Sequence, residues 1–351
     1  MVVIGTDVHK RSHTFVAVDE VGRKLGEKTV AATTTGHRKA LRWARSEFGD
    51  NLKWGIEDCR NYSARLERDL LTAGQSVVRV PPKLMAQARA SARTRGKSDP
   101  IDALAVAHAV LRHPDLPVAV HEEVSRELKL LTDRREDLVA QRTATINRLR
   151  ERVHELDPAA EPPLGSLHRA RPRAHLAQWL DTQCGLLAEL ARDELADVTR
   201  LTDVIDALAD RIGDRVQQVA PKLLALPGCG ELTAAKLVAE TAGVTRFKSE
   251  AAFARHSGAA PIPVWSGNTA GRVRLTRSGN RQINAALHRI AITQIRLAGS
   301  PGHIYYHKRR AQGDSTNEAL RCLKRRLARV VYKRLLTDTH TPPQTHDLAA
   351  A

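Results

Sequence analysis

The hydrophobic positions change period twice along this chain, and each change marks a different kind of structure. Up to about residue 112, short apolar runs alternate with stretches of helical spacing. Val2–Thr6 is a β-branched run that predicts a strand. His13–Val18 predicts a second, after which the chain turns around Asp19–Gly22. Lys28–Ala32 can supply a third. Thr35–Phe48 reads as a helix, Leu52–Ile56 as a strand and Asn61–Ala73 as a helix. Val77–Val80 is a short strand stopped by Pro81 and Pro82, and a helix over Ile101–Leu111 follows. Three hairpin-capable strands, a crossover helix and a strand–helix–strand predict an α/β layout with a mixed sheet.

From Val124 the spacing lengthens. Val124, Leu128, Leu131, Arg135, Leu138 and Arg142 step by fours and threes, and Ile146, Leu149, Val153 and Leu156 resume after one slip. That is a heptad-like seam with two arginines in it. Pro158 to Pro172 is a Pro/Gly/Arg-rich break. A second long amphipathic helix runs through Leu187, Leu195, Leu201, Ile205 and Val216. The pair can form an antiparallel hairpin or an intermolecular coiled coil, or each helix can pack on its own domain. Pro221 to about Arg334 is mostly helical. The polar residues from about Thr337 predict a frayed end. The expected domains are 1–115, a helical insert 120–218, a third domain 219–336 and a flexible tail 337–351.

Charge sharpens this outline. The 351 residues carry a net charge of +17. Between Ser266 and Arg334 there are 16 Lys/Arg against two acids, Asp314 and Glu318, leaving +14 in that stretch. Concentrated basic charge favours a polyanion partner, because it displaces counterions from phosphate. Aromatics are only 3%, which argues against broad base-stacking platforms. Cys59, Cys184, Cys229 and Cys322 lie far apart, so no zinc-ligand spacing exists. No signal peptide precedes the first strand and no apolar run reaches membrane-spanning length, so a cytoplasmic protein with reduced thiols is expected.

Against this basic background stand four carboxylates. Asp7 closes the first strand, Glu57 follows another, and Asp99 and Asp102 open a helix in K-S-D-P-I-D-A. If the three segments converge, the acids repel one another unless a cation neutralises them. Hard oxygen ligands suit Mg²⁺ or Mn²⁺, and two such ions can clamp a phosphodiester. The ordinary alternative is that Asp7 and Glu57 are turn residues. Asp99 would then cap the helix before Pro100, with Asp102 completing a capping box. Capping and metal binding are compatible, since residues three apart share a helix face.

Two further segments carry chemistry. Leu226-Pro-Gly-Cys-Gly places Gly228 and Gly230 at a turn before a helix, where bare backbone N–H groups suit a phosphate oxygen, as in helix-hairpin-helix DNA binding. An ordinary tight interhelical corner would look the same. The stretch Ala259–Arg281 has no acid and brings Arg272, Arg274, Arg277 and Arg281, fork donors for phosphate. Ser266 and Ser278 are each followed by Gly, so either hydroxyl can be exposed, although most such serines are loop residues. Lys324, Arg325 and Arg326 form the densest basic run.

In order, G-T-D-V-H-K, I-E-D, K-S-D-P-I-D-A, L-P-G-C-G and W-S-G-N…G-R…S-G-N-R resemble the DEDD transposases of insertion-sequence family 110 and the related Piv invertases. The resemblance covers about Val2 to Arg289. It implies a RuvC-like, ribonuclease-H-type domain with Asp7, Glu57, Asp99 and Asp102 as metal ligands. A coiled-coil insert and a C-terminal transposase domain with a nucleophilic serine would follow. Ser266 matches that serine. Ser278, where the family usually has a basic residue, is the second candidate. The family's guide is a structured bridge RNA. The function expected is a site-specific DNA recombinase acting on element ends and target, through a phosphoserine link assisted by Mg²⁺ or Mn²⁺. A homodimer or homotetramer, nucleoid-associated in a prokaryote, is expected. The alternatives are a metal-dependent nuclease or junction resolvase without a covalent step, and a non-catalytic DNA- or RNA-binding protein.

Overall fold

The computed structural model describes residues 1–57, 62–81, 84–85, 98–120, 122–263, 273–275 and 279–340. The chain packs into two compact units. The first joins residues 1–122 to 242–279, and the second joins 123–241 to the rest.

The first unit is built on five strands: β1 Val2–Val8, β2 Ser12–Val18, β3 Lys24–Ala31, β4 Leu52–Glu57 and β5 Ser76–Val80. Their order across the sheet is β3-β2-β1-β4-β5. The first three form an antiparallel meander, while β4 and β5 run parallel to β1. This is the mixed five-stranded sheet that the alternation of apolar runs and helical spacing predicts. Three helices follow their strands: α1 Thr34–Phe48, α2 Ala64–Thr72 and α3 Asp99–Arg112. Thr33 starts α1 by accepting a bond from the Gly36 amide at 3.1 Å.

Strand alternation explains why both faces are covered. Ile4, Phe15, Trp54 and Ile56 meet Ala40 and Ala44 of α1 and Leu66 and Leu70 of α2. Val3, Val16, Val78 and Val80 meet Ala103, Val106 and Val110 of α3 on the other side. Each large apolar side chain so buried contributes about 1.5–3 kcal/mol. Trp54 is fully buried, and its indole N–H donates to Gln75 Oε1 at 3.0 Å, so no donor is stranded.

The second unit begins with two long helices, α4 Glu123–Leu156 and α6 Leu186–Val219, with α5 Ala170–Asp181 between them. Leu138 packs with Leu201 and Ile205, whereas Leu149 and Val153 pack with Leu195 and Val198. Rising numbers on one helix meet falling numbers on the other, so the pair is an antiparallel hairpin within one chain. Ion pairs hold its two ends: Arg215 Nε to Glu127 Oε2 at 2.8 Å, and Arg152 Nε to Glu194 Oε2 at 3.0 Å. The Pro/Gly/Arg-rich break does not last to Pro172. It gives way to α5, whose Leu176 and Leu180 complete the apolar cluster. Pro172 lies in the first turn of α5, where a missing N–H is tolerated.

The remaining elements are α7 Pro221–Leu224, α8 Glu231–Thr241, α9 Glu250–His256, β6 Pro261–Pro263, β7 Val273–Leu275, α10 Arg281–Arg296, α11 Pro301–Ala311 and α12 Thr316–His340. Helix α12 carries on past Thr337, where the sequence predicts fraying. The reason is Asp338: it is buried and accepts the Lys222 and Leu223 amides at 2.8 and 3.1 Å, capping α7 from a distance. Residues 341–351 of the expected tail lie outside the described residues. No helix among the described residues is long and apolar enough to cross a membrane.

One buried polar pair in the first unit has a pH consequence. The His13 ring on β2 stacks on His37 of α1 at 5.2 Å, and His37 Nδ1 pairs with Asp69 Oδ2 of α2 at 2.7 Å. Burial, reinforced by His37, pushes His13 down to about 4. Folding therefore favours neutral His13. Its contribution is complete above pH 6.5 and is lost as pH falls from 6.5 to about 4. Urea unfolding at several pH values should show His13→Gln losing less stability than wild type on acidification, by a difference of order 1–3 kcal/mol. Equal acid losses would remove His13 from the account.

Candidate metal and nucleic-acid site

Asp7 and Glu57 stand at the carboxyl ends of neighbouring parallel strands. The β1–β4 ladder runs from Val2 and Leu52 to Thr6 and Ile56, and the two acids are the next residues along. Helix α3 brings Asp99 and Asp102 in its first turn. What seats that helix is a pair of glycines, two residues before each strand acid. A Cβ on Gly5 would collide with the Ala103 carbonyl, and one on Gly55 would stand 2.6 Å from Val110 Cγ2. Bare backbone at these points lets α3 lie against β1 and β4.

The helix starts one residue earlier than the capping argument supposes. Ser98 is its N-cap, with no side-chain capping bond, and Pro100 lies in the first turn. Asp99 is thus a first-turn residue whose carboxylate is turned to other work. His9 Nε2 stands between two carboxylates, 2.9 Å from Asp7 Oδ2 and 3.3 Å from Asp99 Oδ1. Ligand atoms of Asp7, His9 and Asp99 all lie within 4.8 Å of one another.

Electrostatics agrees with the geometry. Asp7 is only 7% exposed. Burial raises its pKa; His9 opposes this, while the charges of Asp102 and Asp99 add to it. Asp102 therefore acts on Asp7 although it is not within the three-residue cluster. Burial disfavours the imidazolium of His9, but the carboxylates of Asp7 and Asp99 outweigh burial and raise its pKa. Two close acids with an imidazole between them, and a third acid acting from nearby, fit a divalent cation: oxygen donors suit Mg²⁺, and one nitrogen also admits Mn²⁺. His9 was not singled out from the sequence. The signal lay in G-T-D-V-H-K, which sets an imidazole two residues after Asp7, just past the end of β1.

The other predicted residues scatter. Ser266, Ser278, Arg272 and Arg277 lie outside the described residues. Strands β6 and β7 pair antiparallel, Pro261 with Leu275 and Pro263 with Val273, and Arg274 falls on β7. Arg281 opens α10, exposed, after Asn280 caps the helix through the Gln282 and Ile283 amides. Gly228 has φ +81° and packs its bare Cα near Thr293, while Gly230 faces open space. Glu231 occupies the first turn of α8 and accepts a bond from Gln217 Nε2 at 2.9 Å. The basic run on α12 is not one patch. Lys324 is buried, its Nζ bonded to Asn284 Oδ1 at 2.5 Å, and burial lowers its pKa. Lys324 is therefore a structural cation rather than a free surface charge. Arg325 is half-buried, and Arg326 is exposed over the Tyr305 ring at 4.8 Å.

Residues 4–158 match a family model of DEDD transposases of the IS110 type. Residues 220–307 match a second, described as transposase IS116/IS110/IS902 family. Over 97% of each chain, this one is 28% identical to the insertion element IS116 uncharacterized 44.8 kDa protein of Streptomyces clavuligerus. It is also 28% identical to the insertion element IS900 uncharacterized 42 kDa protein of Mycobacterium paratuberculosis, over 99% of this chain and 98% of that one. A solved T. thermophilus RuvC in complex with a Holliday junction substrate aligns with 32% of this chain and 94% of its own at 14% identity, with a TM-score of 0.27.

Two outcomes test this geometry. Gly5→Ala should lower stability by about 1–3 kcal/mol through overpacking, whereas Gly230→Ala, with open space at its Cα, should be nearly neutral. Urea denaturation of both variants decides it, and a neutral Gly5→Ala would mean that α3 can move away freely. Asp7→Asn removes a charge that burial and two neighbouring acids disfavour, so its melting temperature in chelator at neutral pH should equal or exceed wild type. A marked drop would mean that the charge itself supports the fold.

Proposed function

We propose, for a chain that belongs to the DEDD transposases of insertion-sequence family 110, that Ser266 and the four carboxylates form one composite site that cuts and rejoins DNA. The enzyme is a DNA transposase, and its fold and family carry divalent-metal dependence. The observation that carries the finer reading is the convergence at the carboxyl ends of β1 and β4, interior strands of the sheet. Asp7 and Asp99 meet around His9, Asp102 acts on Asp7, and Glu57 ends the adjacent strand.

In this reading Ser266 Oγ attacks the scissile phosphorus. An Oγ–P bond forms as the Oγ–H proton leaves to solvent, the bond to the leaving sugar oxygen breaks, and that oxygen takes up a proton from solvent, so no net proton is gained or lost. The phosphoserine ester keeps the energy needed for rejoining. Asp7, Glu57, Asp99 and Asp102 would hold Mg²⁺, and bound metal would supply Lewis-acid polarisation of the phosphate and stabilisation of the leaving oxygen. Arg272, Arg274, Arg277 and Arg281 neutralise the charge that develops on the phosphate. The residues flanking Ser266 belong to the same compact unit as the carboxylates, which supports their acting together. Residues 1–115 serve as the RuvC-like domain and 120–218 as the helical insert, with the serine in 219–336. A structured guide RNA would explain target choice by a basic protein without a recognisable sequence-reading helix. A homodimer or homotetramer would bring two DNA ends together.

A nicked suicide DNA substrate, followed by peptide mass spectrometry, tests the covalent step. The phosphate ester should appear on the peptide containing Ser266. Ser266→Ala should abolish the adduct and strand exchange while DNA binding and Mn²⁺ binding persist. An adduct on Ser278 would move the nucleophile there. Cleavage at full rate by Ser266→Ala with no adduct would leave a metal nuclease that uses water.

A further inference from the structure

The two arginines in the seam of the helical hairpin remain without a role in this mechanism. Helix α4 should bury apolar residues wherever it faces α6, and it does so on both sides of one gap. Leu138, Leu201 and Ile205 form one cluster, and Leu149, Val153, Leu195 and Val198 belong to another. Between them lies Arg142, whose Nη1 donates to the buried Thr202 hydroxyl at 3.2 Å. Arg135, two helical turns away on the same face, is half-buried too. Both Nε atoms are buried with no hydrogen-bond partner, and among the described residues neither arginine forms an ion pair with a carboxylate.

More positive charge closes on the same gap. Arg173 of α5 donates through Nη1 to the Leu167 and His168 carbonyls at 3.3 and 3.1 Å, which holds it beside that turn. Burial lowers the Arg142 pKa; Asp206 opposes this, and Arg135 and Arg173 add to the lowering. Burial likewise lowers His168, with Arg142 and Arg173 contributing. Among the described residues, Asp206 is the carboxylate whose charge acts on Arg142. The pattern is the inverse of the carboxylate cluster: like charges held together, here by helix packing, with too little counter-charge. Leucine at position 142 would close the seam more cheaply, since hydrophobic replacements of buried charges are often neutral or stabilising.

We propose that this arginine-lined break in the hairpin is a binding site for a phosphate oxyanion. Guanidinium forks match phosphate oxygens two at a time, and the unpartnered Nε–H groups supply donors that the protein itself leaves unmet. In a DNA transposase the oxyanion can be a nucleic-acid backbone phosphate or a free phosphate. The site is built from α4, α5 and α6 and shares no residue with the carboxylate cluster, so its test is independent of the proposed chemistry.

The test uses the full chain, with Arg135→Met/Arg142→Met and, separately, Arg173→Gln. Pyrophosphate at matched ionic strength should raise the wild-type melting temperature, and raise that of the double variant by less than half as much. Binding of a labelled duplex and of a labelled structured RNA is then followed across a salt series. A backbone-phosphate ligand predicts affinity weaker by about tenfold and a log–log salt slope lower by about two units in the double variant. A pyrophosphate effect without a slope change identifies a free anion as the ligand and upholds the site. If the double variant does not fold, Arg173→Gln carries the same two readouts, with a slope lower by about one unit. Variants that keep both the pyrophosphate response and the slope overturn the proposal, and the arginines then only fix the register of the helices.

Discussion

The first unit depends on how closely one helix can approach one sheet. Gly5 and Gly55 leave the faces of β1 and β4 bare, and α3 lies on that strip with the Ala103 carbonyl and Val110 where side chains would otherwise stand. A larger residue at either point would lift the helix. The lift would matter because the first turn of α3 carries Asp99 and Asp102 over the end of β1. The same approach points the positive end of the helix dipole at that corner, which favours carboxylates there. It does not fully offset the position of Asp7: burial, with the charges of Asp102 and Asp99 added, still raises its pKa, and His9 stands between Asp7 and Asp99. Packing therefore sets the distance between the acids, and that distance creates the demand for a cation.

Most of the first unit was legible because most of its strands are short apolar runs bounded by turns or proline, buried on both faces. All five strands and three helices follow from apolar runs, proline stops and helical spacing, with ends shifted by at most a few residues. The carboxylate corner was legible in outline, since strand-end acids and a helix-start pair are both visible in sequence. Its details were not. Which residue caps α3 depends on backbone angles, and Ser98, not Asp99, has the extended conformation of a cap. The part played by His9 depends on the turn after β1, which folds the imidazole back onto two carboxylates. Helix α5 was hidden by its arginines and Pro172, because the Leu176–Leu180 step that buries it is too short to stand out as a period.

Charge is where sequence counting misleads most. A run of three basic residues looks like one patch, but successive residues on a helix are about 100° apart. On α12 this turns Lys324 into the interior, onto Asn284, and leaves Arg326 outside on Tyr305. Arg309 is engaged as well, 2.6 Å from Asp314. The +14 counted between Ser266 and Arg334 therefore overstates the charge free to meet phosphate, although it fixes its sign.

The carboxylate corner and the arginine seam pose the same physical question with opposite sign. A cluster of like charge implies a missing counter-charge only when the fold gives up stability to keep the cluster. At Asp7 the sacrifice is burial of a carboxylate beside two others, on a strand whose neighbours in the core are Val3 and Ile4. At Arg142 it is an interruption of an apolar seam that resumes one turn later. Surface ion pairs such as Lys248 with Asp115 meet no such condition, because solvated partners cost the fold almost nothing and contribute little. By this criterion the exposed arginines of α11 and α12 are weaker evidence for a ligand than the half-buried pair on α4, despite being more numerous.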